Sequence, residues 1–260
     1  PDILINLHPN ERTSYLAWKV GAKVTTGMSH FLFRPFMTKY TRLDRKTRHA
    51  ADMYINILEQ LGVTDTDNHG LYISTCPAWE EAAKVFYKEQ GLQEGDKLIG
   101  FNVGSAVVEK RWPKERFGAV ADYFAAKGYK PVFFGGPMDQ DMVQEVVGQM
   151  KTQPIVATGH FSIGQLAAAM KACSLIITND SGPMHVAISQ GVPIVALYGP
   201  SNPMFYGPYK ARAIILESMD HYEIGKSMKQ IIKEGHYKGI SVITQDQVIE
   251  AANQLLEDTK

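Results

Sequence analysis

The sequence predicts an α/β fold in which doubly wound parallel sheets are covered by helices. Between residues 97 and 220, near-continuous apolar segments alternate with segments that carry apolar residues at helical spacing. Apolar strands of this kind are typical of parallel sheets buried on both faces. The polar segment LQEGD at 92–96 separates this region from a less regular first third. We therefore expect a partial N-terminal α/β domain over 1–92, a Rossmann-like domain over 93–243 and a final helix over 244–260.

In the first third, short apolar runs predict the strands and helical spacing predicts the helices. The expected strands are at 2–7, 23–27 and 71–74, and the expected helices are at 11–22, 49–62 and 77–91. Gly62 and Gly91 are suited to the ends of the second and third helices, and Pro77 is suited to the first turn of the third.

In the regular region, strand and helix patterns alternate without interruption. The expected strands are at 97–104, 130–136, 153–159, 174–180, 193–199 and 211–218, and the expected helices are at 113–128, 138–150, 162–173, 183–191 and 244–260. Either Thr244 or Asp246 is available to cap the last helix.

The composition excludes several classes of protein. Lys plus Arg number 27 and Asp plus Glu number 27, so the formal net charge is zero. We expect no nucleic-acid partner, because the basic footprint of such proteins is missing. No apolar run reaches the roughly 18 residues of a transmembrane helix. Cys76 and Cys173 have no CxxC spacing and are expected to be reduced thiols of a cytosolic protein.

Two further features of the first third bear on function. The chain starts with PDILINL, without Met and inside a predicted strand, so we expect its true beginning to lie upstream. The segment RPFMTKYTRLDRKTRH at 34–49 is basic. This segment fits a solvated loop, or it fits a surface that binds an acidic partner or an anionic membrane. Binding to an anionic membrane would mean peripheral membrane association.

The ends of four predicted strands carry glycine or polar residues. They are Gly104-Ser105, 135–137, 179–182 and 199–201. In open α/β sheets, ligands bind outside the carboxyl ends of the strands. We therefore expect these four segments to lie at one edge of the sheet and to share one crevice.

The segment NDSGPMH combines several features of an anion or sugar site. Gly182 lets a ligand approach the backbone, and Pro183 suits the first turn of a helix whose amides favour negative charge. Asp180 could accept hydrogen bonds from sugar hydroxyls, and His185 lies close to the same opening. Ser181 could contact a phosphate, or it could simply cap the helix of an ordinary strand-to-helix turn.

Two other strand ends carry candidate side chains, each with a second interpretation. Lys110 could reach a phosphate and stabilise charge on a leaving group, or it could lie in a solvated basic loop. Asp139 could bind a ribose diol, or it could reflect the usual acidic bias of helix N-termini. Trp112 is expected to be a packing anchor. Dehydrogenase, P-loop kinase, α/β-hydrolase and metal-binding motifs are missing from the sequence.

Taken together, four segments resemble glycosyltransferase family 9, the heptosyltransferases of lipopolysaccharide core assembly. They are GFNVGSAVVEKRWP, VFFGGPMDQD, LAAAMKACSLIITNDSGPMHVAISQGVPIVALYGPSNP and ITQDQVIEAANQLL. The third contains the family's D-T/S-G-x-x-H, G-x-P and G-P-T/S pattern in full. The resemblance covers essentially the whole chain. It implies a GT-B-like architecture, in which two Rossmann-like domains face each other across a cleft and the N-terminal one is incomplete here.

The resemblance also implies a reaction and a set of site residues. The implied reaction is an inverting, metal-independent transfer of heptose or a related sugar, without a cofactor, from ADP-heptose or a similar nucleotide sugar to a lipopolysaccharide core or other lipid-linked glycan. The implied location is the bacterial cytoplasm, at the inner face of the inner membrane. The implied donor contacts are Ser105, Lys110, Met138, Asp139, Asp180, Ser181, Gly182, Pro183 and His185. Met138 would border the base, and the general base is expected upstream of Pro1.

Two other functions stay open on the sequence alone. One is a nucleotide-sugar epimerase of the same fold, which would act on the donor without an acceptor. The other is a nucleotide-sugar-binding module that has no catalytic activity.

Overall fold

The computed structural model describes residues 1–8, 10–29, 31–42, 44, 47–218, 228–235 and 239–257. The chain divides into two compact units, one of Pro1–His69 with Met204–Gly207 and one of Gly70–Pro203 with Pro208–Lys260. Three residues of the basic segment, Leu43, Arg45 and Lys46, lie outside the described residues. Among the described residues, no helix has the length and apolar character needed to cross a membrane.

The first unit contains a small parallel sheet flanked by helices. Its elements are β1 (Ile3–Asn6), α1 (Glu11–Lys19), β2 (Val24–Ser29), β3 (Thr41–Arg42) and α2 (Ala50–Gln60). Within the described residues the sheet order is β1-β2-β3, and both pairs are parallel.

Local capping explains where α1 and α2 begin and where α2 ends. The side chain of Asn10 accepts the Thr13 N–H at 2.9 Å at the start of α1. At the start of α2, His49 Nδ1 accepts the Ala51 N–H at 3.1 Å. Gly62 follows α2 with a φ of 90°, a left-handed conformation that favours glycine and confirms the predicted helix end.

The remaining elements follow in chain order, and all except α8 belong to the second unit, which contains the larger sheet. They are α3 (Pro77–Glu89), β4 (Lys97–Asn102), α4 (Lys114–Ala126), β5 (Tyr129–Phe134), α5 (Gln140–Val147), β6 (Ile155–Val156), α6 (Ile163–Lys171), β7 (Cys173–Asn179), α7 (Gly182–Ile188), β8 (Ile194–Tyr198), α8 (Pro203–Tyr206), β9 (Ala213–Glu217), α9 (Met228–Lys233) and α10 (Gln245–Glu257). Three of the four residues of α8 belong to the first unit.

The larger sheet is a doubly wound parallel sheet. Across the described residues its order is β6-β5-β4-β7-β8-β9, and every neighbouring pair is parallel. The carboxyl ends of all its strands therefore lie at one edge, as predicted for the four polar strand ends. The chain moves from β4 outward to β6 and then returns to β7 on the other side of β4. This reversal is a topological switch point, where open α/β sheets leave a crevice for ligands.

Apolar side chains fill both faces of this sheet. One face packs Phe101 and Phe133 against helices that include α4 and α10, and the other packs Phe134 and Ile176 against helices that include α3 and α6. The start of α10 is a reciprocal cap, in which Thr244 Oγ1 accepts the Gln247 N–H at 3.2 Å. Of the two predicted caps, the structure therefore selects Thr244.

The structure differs from the sequence prediction around residues 70–92. Residues 71–74 are not a strand, and the Ile73 carbonyl accepts a side-chain hydrogen bond from Gln190 at 2.9 Å. Helix α3 packs against α6 of the second unit, and Tyr87 donates its hydroxyl proton to the Ala169 carbonyl at 2.9 Å. The division into two compact units therefore falls at 69–70, whereas the sequence places the domain boundary at 92–93. The reason is that α3 contacts α6, which belongs to the second unit.

Replacing Gly164 by alanine is expected to destabilise the second unit by about 1–3 kcal/mol, the usual cost of overpacking. A Cβ atom at Gly164 would lie 2.5 Å from the ring of Trp79, which rests against α6. Urea unfolding measures the change. The added substitution Trp79→Leu, which removes the obstructing ring, should cancel most of the cost of the alanine. If the cost is unchanged in that background, the proposed clash is not its cause.

Candidate active site at the switch point of the larger sheet

The candidate site is formed by loops that follow three neighbouring strands. The segment after β4 runs to Lys110 in a short 3-10 turn, Val108–Lys110. The segment after β7 carries Asp180 and Ser181, and the segment after β8 carries Ser201. Because β4, β7 and β8 are adjacent and parallel, these side chains meet at the carboxyl edge although they lie far apart in the sequence.

A partly buried ion pair lies at this edge. Lys110 Nζ donates to Asp180 Oδ2 at 2.5 Å, and the two side chains are 20% and 7% exposed. The hydroxyl of Ser201 donates to the same carboxylate oxygen. The Asp180 backbone is held as well, because its N–H donates to the Leu197 carbonyl at 3.2 Å and its carbonyl accepts from Ser105 Oγ at 3.3 Å. The structure therefore brings together the predicted residues Ser105, Lys110 and Asp180.

Two asparagines fix the geometry of the loops around this pair. Asn179 is fully buried; its Oδ1 accepts the Trp112 N–H at 3.0 Å, and its Nδ2 donates to the Val103 carbonyl at 2.8 Å. Asn102 donates from Nδ2 to Ser181 Oγ at 2.8 Å. Sequence reasoning did not assign a role to either asparagine. The available signal was an amide side chain at the end of an otherwise apolar strand, where a buried polar group requires partners.

The predicted strand-to-helix turn after β7 is present, but the Ser181 side chain makes no capping hydrogen bond to α7. Ser181 occupies the N-cap position of α7, whereas its Oγ accepts from Asn102 and donates to the Asn179 carbonyl at 3.3 Å. Gly182 is exposed, and no atom lies within 4 Å of a Cβ placed there. Pro183 lies in the first turn, and His185 is half-buried on the same short helix. The serine hydroxyl thus connects the ends of β4 and β7.

Asp139 and Met138 lie at the end of β5. The Asp139 carboxylate accepts the Gly136 N–H at 2.8 Å and lies so close to Gly104 that a Cβ there would be 2.3 Å from Oδ1. It therefore lies between the loops after β4 and β5, and it also occupies the N-cap position of α5. Its role toward a ribose stays a prediction. Met138 is 93% exposed and is accessible to a ligand at this edge.

The side chain of Trp112 is the packing anchor of the β4 loop, as predicted. It is 2% exposed, and its Nε1–H donates to the Ile243 carbonyl at 2.9 Å. Its ring packs edge-on against Phe117 at a centroid distance of 5.0 Å. Because Trp112 follows Lys110 by two residues, these contacts limit how far the lysine backbone can move.

The buried cysteine is not positioned for chemistry at this edge. Cys173 starts β7, at the opposite edge of the sheet, and burial raises the pKa of its thiol far above the usual range. A thiol that stays protonated is a poor nucleophile. Among the described residues, no three His, Cys, Asp or Glu side chains are grouped as metal ligands.

Comparisons with known proteins agree with this architecture. A solved structure of the family 9 glycosyl transferase from Veillonella parvula DSM 2008 is 73% identical, with a TM-score of 0.91, and the match covers 99% of this chain and 74% of that protein. The structure of the ADP-heptose lipopolysaccharide heptosyltransferase II of E. coli matches with a TM-score of 0.78 at 24% identity, covering 99% of this chain and 77% of that one. This second match concerns the fold, and it confirms the predicted GT-B-like α/β class.

Sequence comparison leads to the same family. Lipopolysaccharide heptosyltransferase 2 of Escherichia coli (strain K12) is 34% identical over 164 residues, which are 61% of this chain and 47% of that protein. The chain thus spans about half the length of this curated relative. The model of glycosyltransferase family 9 (heptosyltransferase) matches residues 2–238. The resemblance seen in the sequence motifs is therefore confirmed, and this chain belongs to glycosyltransferase family 9.

Proposed function

We propose that the protein is an inverting glycosyltransferase that moves heptose from ADP-heptose to a lipopolysaccharide core acceptor. The observation that carries this proposal is the Lys110–Asp180 ion pair at the switch point of the larger sheet. It supplies one cation for a diphosphate and one carboxylate for sugar hydroxyls. The family membership of the chain restricts the reaction class to glycosyl transfer.

The lysine is suited to stabilise a departing nucleoside diphosphate. Its side chain is 20% exposed, so the ammonium group is shielded from most water yet reachable by a ligand. Charge stabilisation in a partly dry, preorganised site is stronger than in water. When the bond between sugar and diphosphate breaks, negative charge increases on the phosphate oxygens, and Lys110 can turn from Asp180 toward them.

The carboxylate is suited to orient the sugar. Both hydrogen bonds to the Asp180 carboxylate, from Lys110 and from Ser201, end on Oδ2. The described residues donate no hydrogen bond to Oδ1, which leaves this oxygen able to accept from a hydroxyl group. A heptose carries several hydroxyl groups, and an ionised carboxylate is a strong acceptor for them.

The identity of donor and acceptor is supported by the relatives. The E. coli relatives are named as a lipopolysaccharide heptosyltransferase and an ADP-heptose lipopolysaccharide heptosyltransferase. We extend ADP-heptose and the lipopolysaccharide core to this chain as part of the proposal. A cytoplasmic location, an attachment to the inner membrane and a reaction without metal or cofactor stay predictions.

Nucleotide binding and product analysis test this function. Calorimetry with ADP, UDP and GDP should show the tightest binding for ADP, and mass spectrometry should detect one heptose added to a heptose-deficient lipopolysaccharide core in the presence of ADP-heptose. A preference for UDP would contradict the heptose donor. Conversion of the donor alone to an isomer would identify an epimerase. Binding of ADP without any turnover by the full-length protein would identify a binding module.

A further inference from the structure

Ser201 occupies a position that the candidate donor residues do not include. It follows β8, and its hydroxyl donates to Asp180 Oδ2, the same oxygen that Lys110 Nζ contacts at 2.5 Å. The Asp180 side chain is 7% exposed. Within the described part of the chain, Ser201 and Lys110 supply all the hydrogen bonds to this carboxylate.

Lys110 and Ser201 differ in whether they can keep their hydrogen bond to Asp180 during the reaction. An ammonium group that turns toward a diphosphate withdraws from Asp180 Oδ2. A buried carboxylate that loses its partners is strongly destabilised. The Ser201 hydroxyl is short and belongs to a loop anchored to a central strand, so it can keep its hydrogen bond while Lys110 moves.

We propose that Ser201 is a positioning residue, which holds the Asp180 carboxylate in a fixed orientation when Lys110 moves to the donor diphosphate. With Oδ2 retained by Ser201, the unpaired Oδ1 keeps its direction toward the hydroxyl groups of the donor sugar. This inference rests on the proposed function, because it assigns the carboxylate to the sugar and the lysine to the diphosphate.

The variants Ser201→Ala and Ser201→Thr separate this role from a packing role. Loss of one hydrogen bond to a charged group predicts a fall in kcat of about 10- to 100-fold for Ser201→Ala. The affinity for ADP, which has no sugar to orient, should stay within about a factor of two of wild type. Ser201→Thr retains a hydroxyl and should restore most of the activity.

A double-mutant cycle shows whether Ser201 acts through Asp180. In the Asp180→Ala background, adding Ser201→Ala should change kcat by less than about a factor of two, because residues that act as a unit are not additive. Ser189→Ala is the matched control. The Ser189 hydroxyl donates to the Val186 carbonyl at 2.6 Å, at the other end of α7. Loss of this hydroxyl should leave kcat unchanged.

Each outcome has a definite meaning. The inference is overturned if Ser201→Ala keeps wild-type kcat, if it is additive with Asp180→Ala, if Ser201→Thr is as impaired as Ser201→Ala, or if ADP affinity falls in parallel with kcat. Failure of the wild-type protein to transfer heptose overturns the proposed function and, with it, this inference. Transfer by the wild type combined with any of the first four results overturns only the role of Ser201.

Discussion

Lys110→Ala is expected to lower kcat for heptose transfer by about 100- to 1,000-fold, the usual effect of removing a group that stabilises developing charge. The ammonium group of Lys110 is the cation held at the carboxyl edge by the buried Asp180 carboxylate. Without it, the departing diphosphate loses the cation that is paired with Asp180. Steady-state kinetics with varied ADP-heptose measure the effect. Activity within about a factor of two of wild type would show that the assigned role is wrong.

The variant needs controls for charge and for folding. Lys110→Arg keeps the positive charge but changes the geometry, and it should recover only part of the activity, because the two cations are not interchangeable at a fixed site. Lys114→Ala removes a lysine from the same unit whose partner is Glu145 on an exposed surface. Exposed ion pairs contribute little, so this variant should keep wild-type kcat. Unfolding by urea should show that the Lys110 variants remain folded.

Trp112→Ala is expected to destabilise the second unit by about 3–5 kcal/mol, the range for removing a buried aromatic side chain. The ring is 2% exposed and packs against Phe117, and the indole N–H is bonded to the Ile243 carbonyl. The substitution leaves a cavity, and the Ile243 carbonyl keeps only its hydrogen bond from Arg116. Urea denaturation followed by circular dichroism measures the loss. Because Trp112 anchors the loop that carries Lys110, kcat should fall as well, under conditions where the variant is still folded.

Trp112→Phe separates packing from hydrogen bonding at this position. Phenylalanine fills most of the volume but lacks the Nε1–H donor. The Ile243 carbonyl keeps a hydrogen bond from Arg116 Nη1 at 2.6 Å, so the expected loss is about 0.5–1.5 kcal/mol, the net contribution of one hydrogen bond. A loss for Trp112→Ala no larger than that for Trp112→Phe would contradict the role of the ring as the anchor.

Local sequence signals predicted most elements of the fold because their causes are local. The alternation of apolar strands with helices, read over 97–220, gave the parallel sheet that the structure contains. Gly62 and Thr244 mark helix boundaries through backbone conformation and a reciprocal cap, which depend only on neighbouring residues. The carboxyl-edge rule then placed Ser105, Asp180 and Ser181 close together.

Local signals failed where the outcome depends on distant partners. The apolar segment 71–74 looked like a strand, yet it pairs with no strand among the described residues, and the Ile73 carbonyl accepts a hydrogen bond from Gln190. Trp79 and Tyr87 of α3 contact α6, and these contacts group α3 with the second unit although the polar segment 92–96 follows it. No periodicity within 70–92 reveals such contacts.

The amino-acid sequence of this protein alone determined most of its element types, their order and the family motifs, because hydrophobic spacing and turn residues act over a few positions. The tertiary structure decides which polar groups become partners: Lys110 with Asp180, Ser201 on the same carboxylate, and Asn102 on Ser181. These pairs are separated by long stretches of chain, and they form only because the order and register of β4, β7 and β8 bring their ends together. The energy of that arrangement comes from burial of the whole sheet, which no single segment encodes.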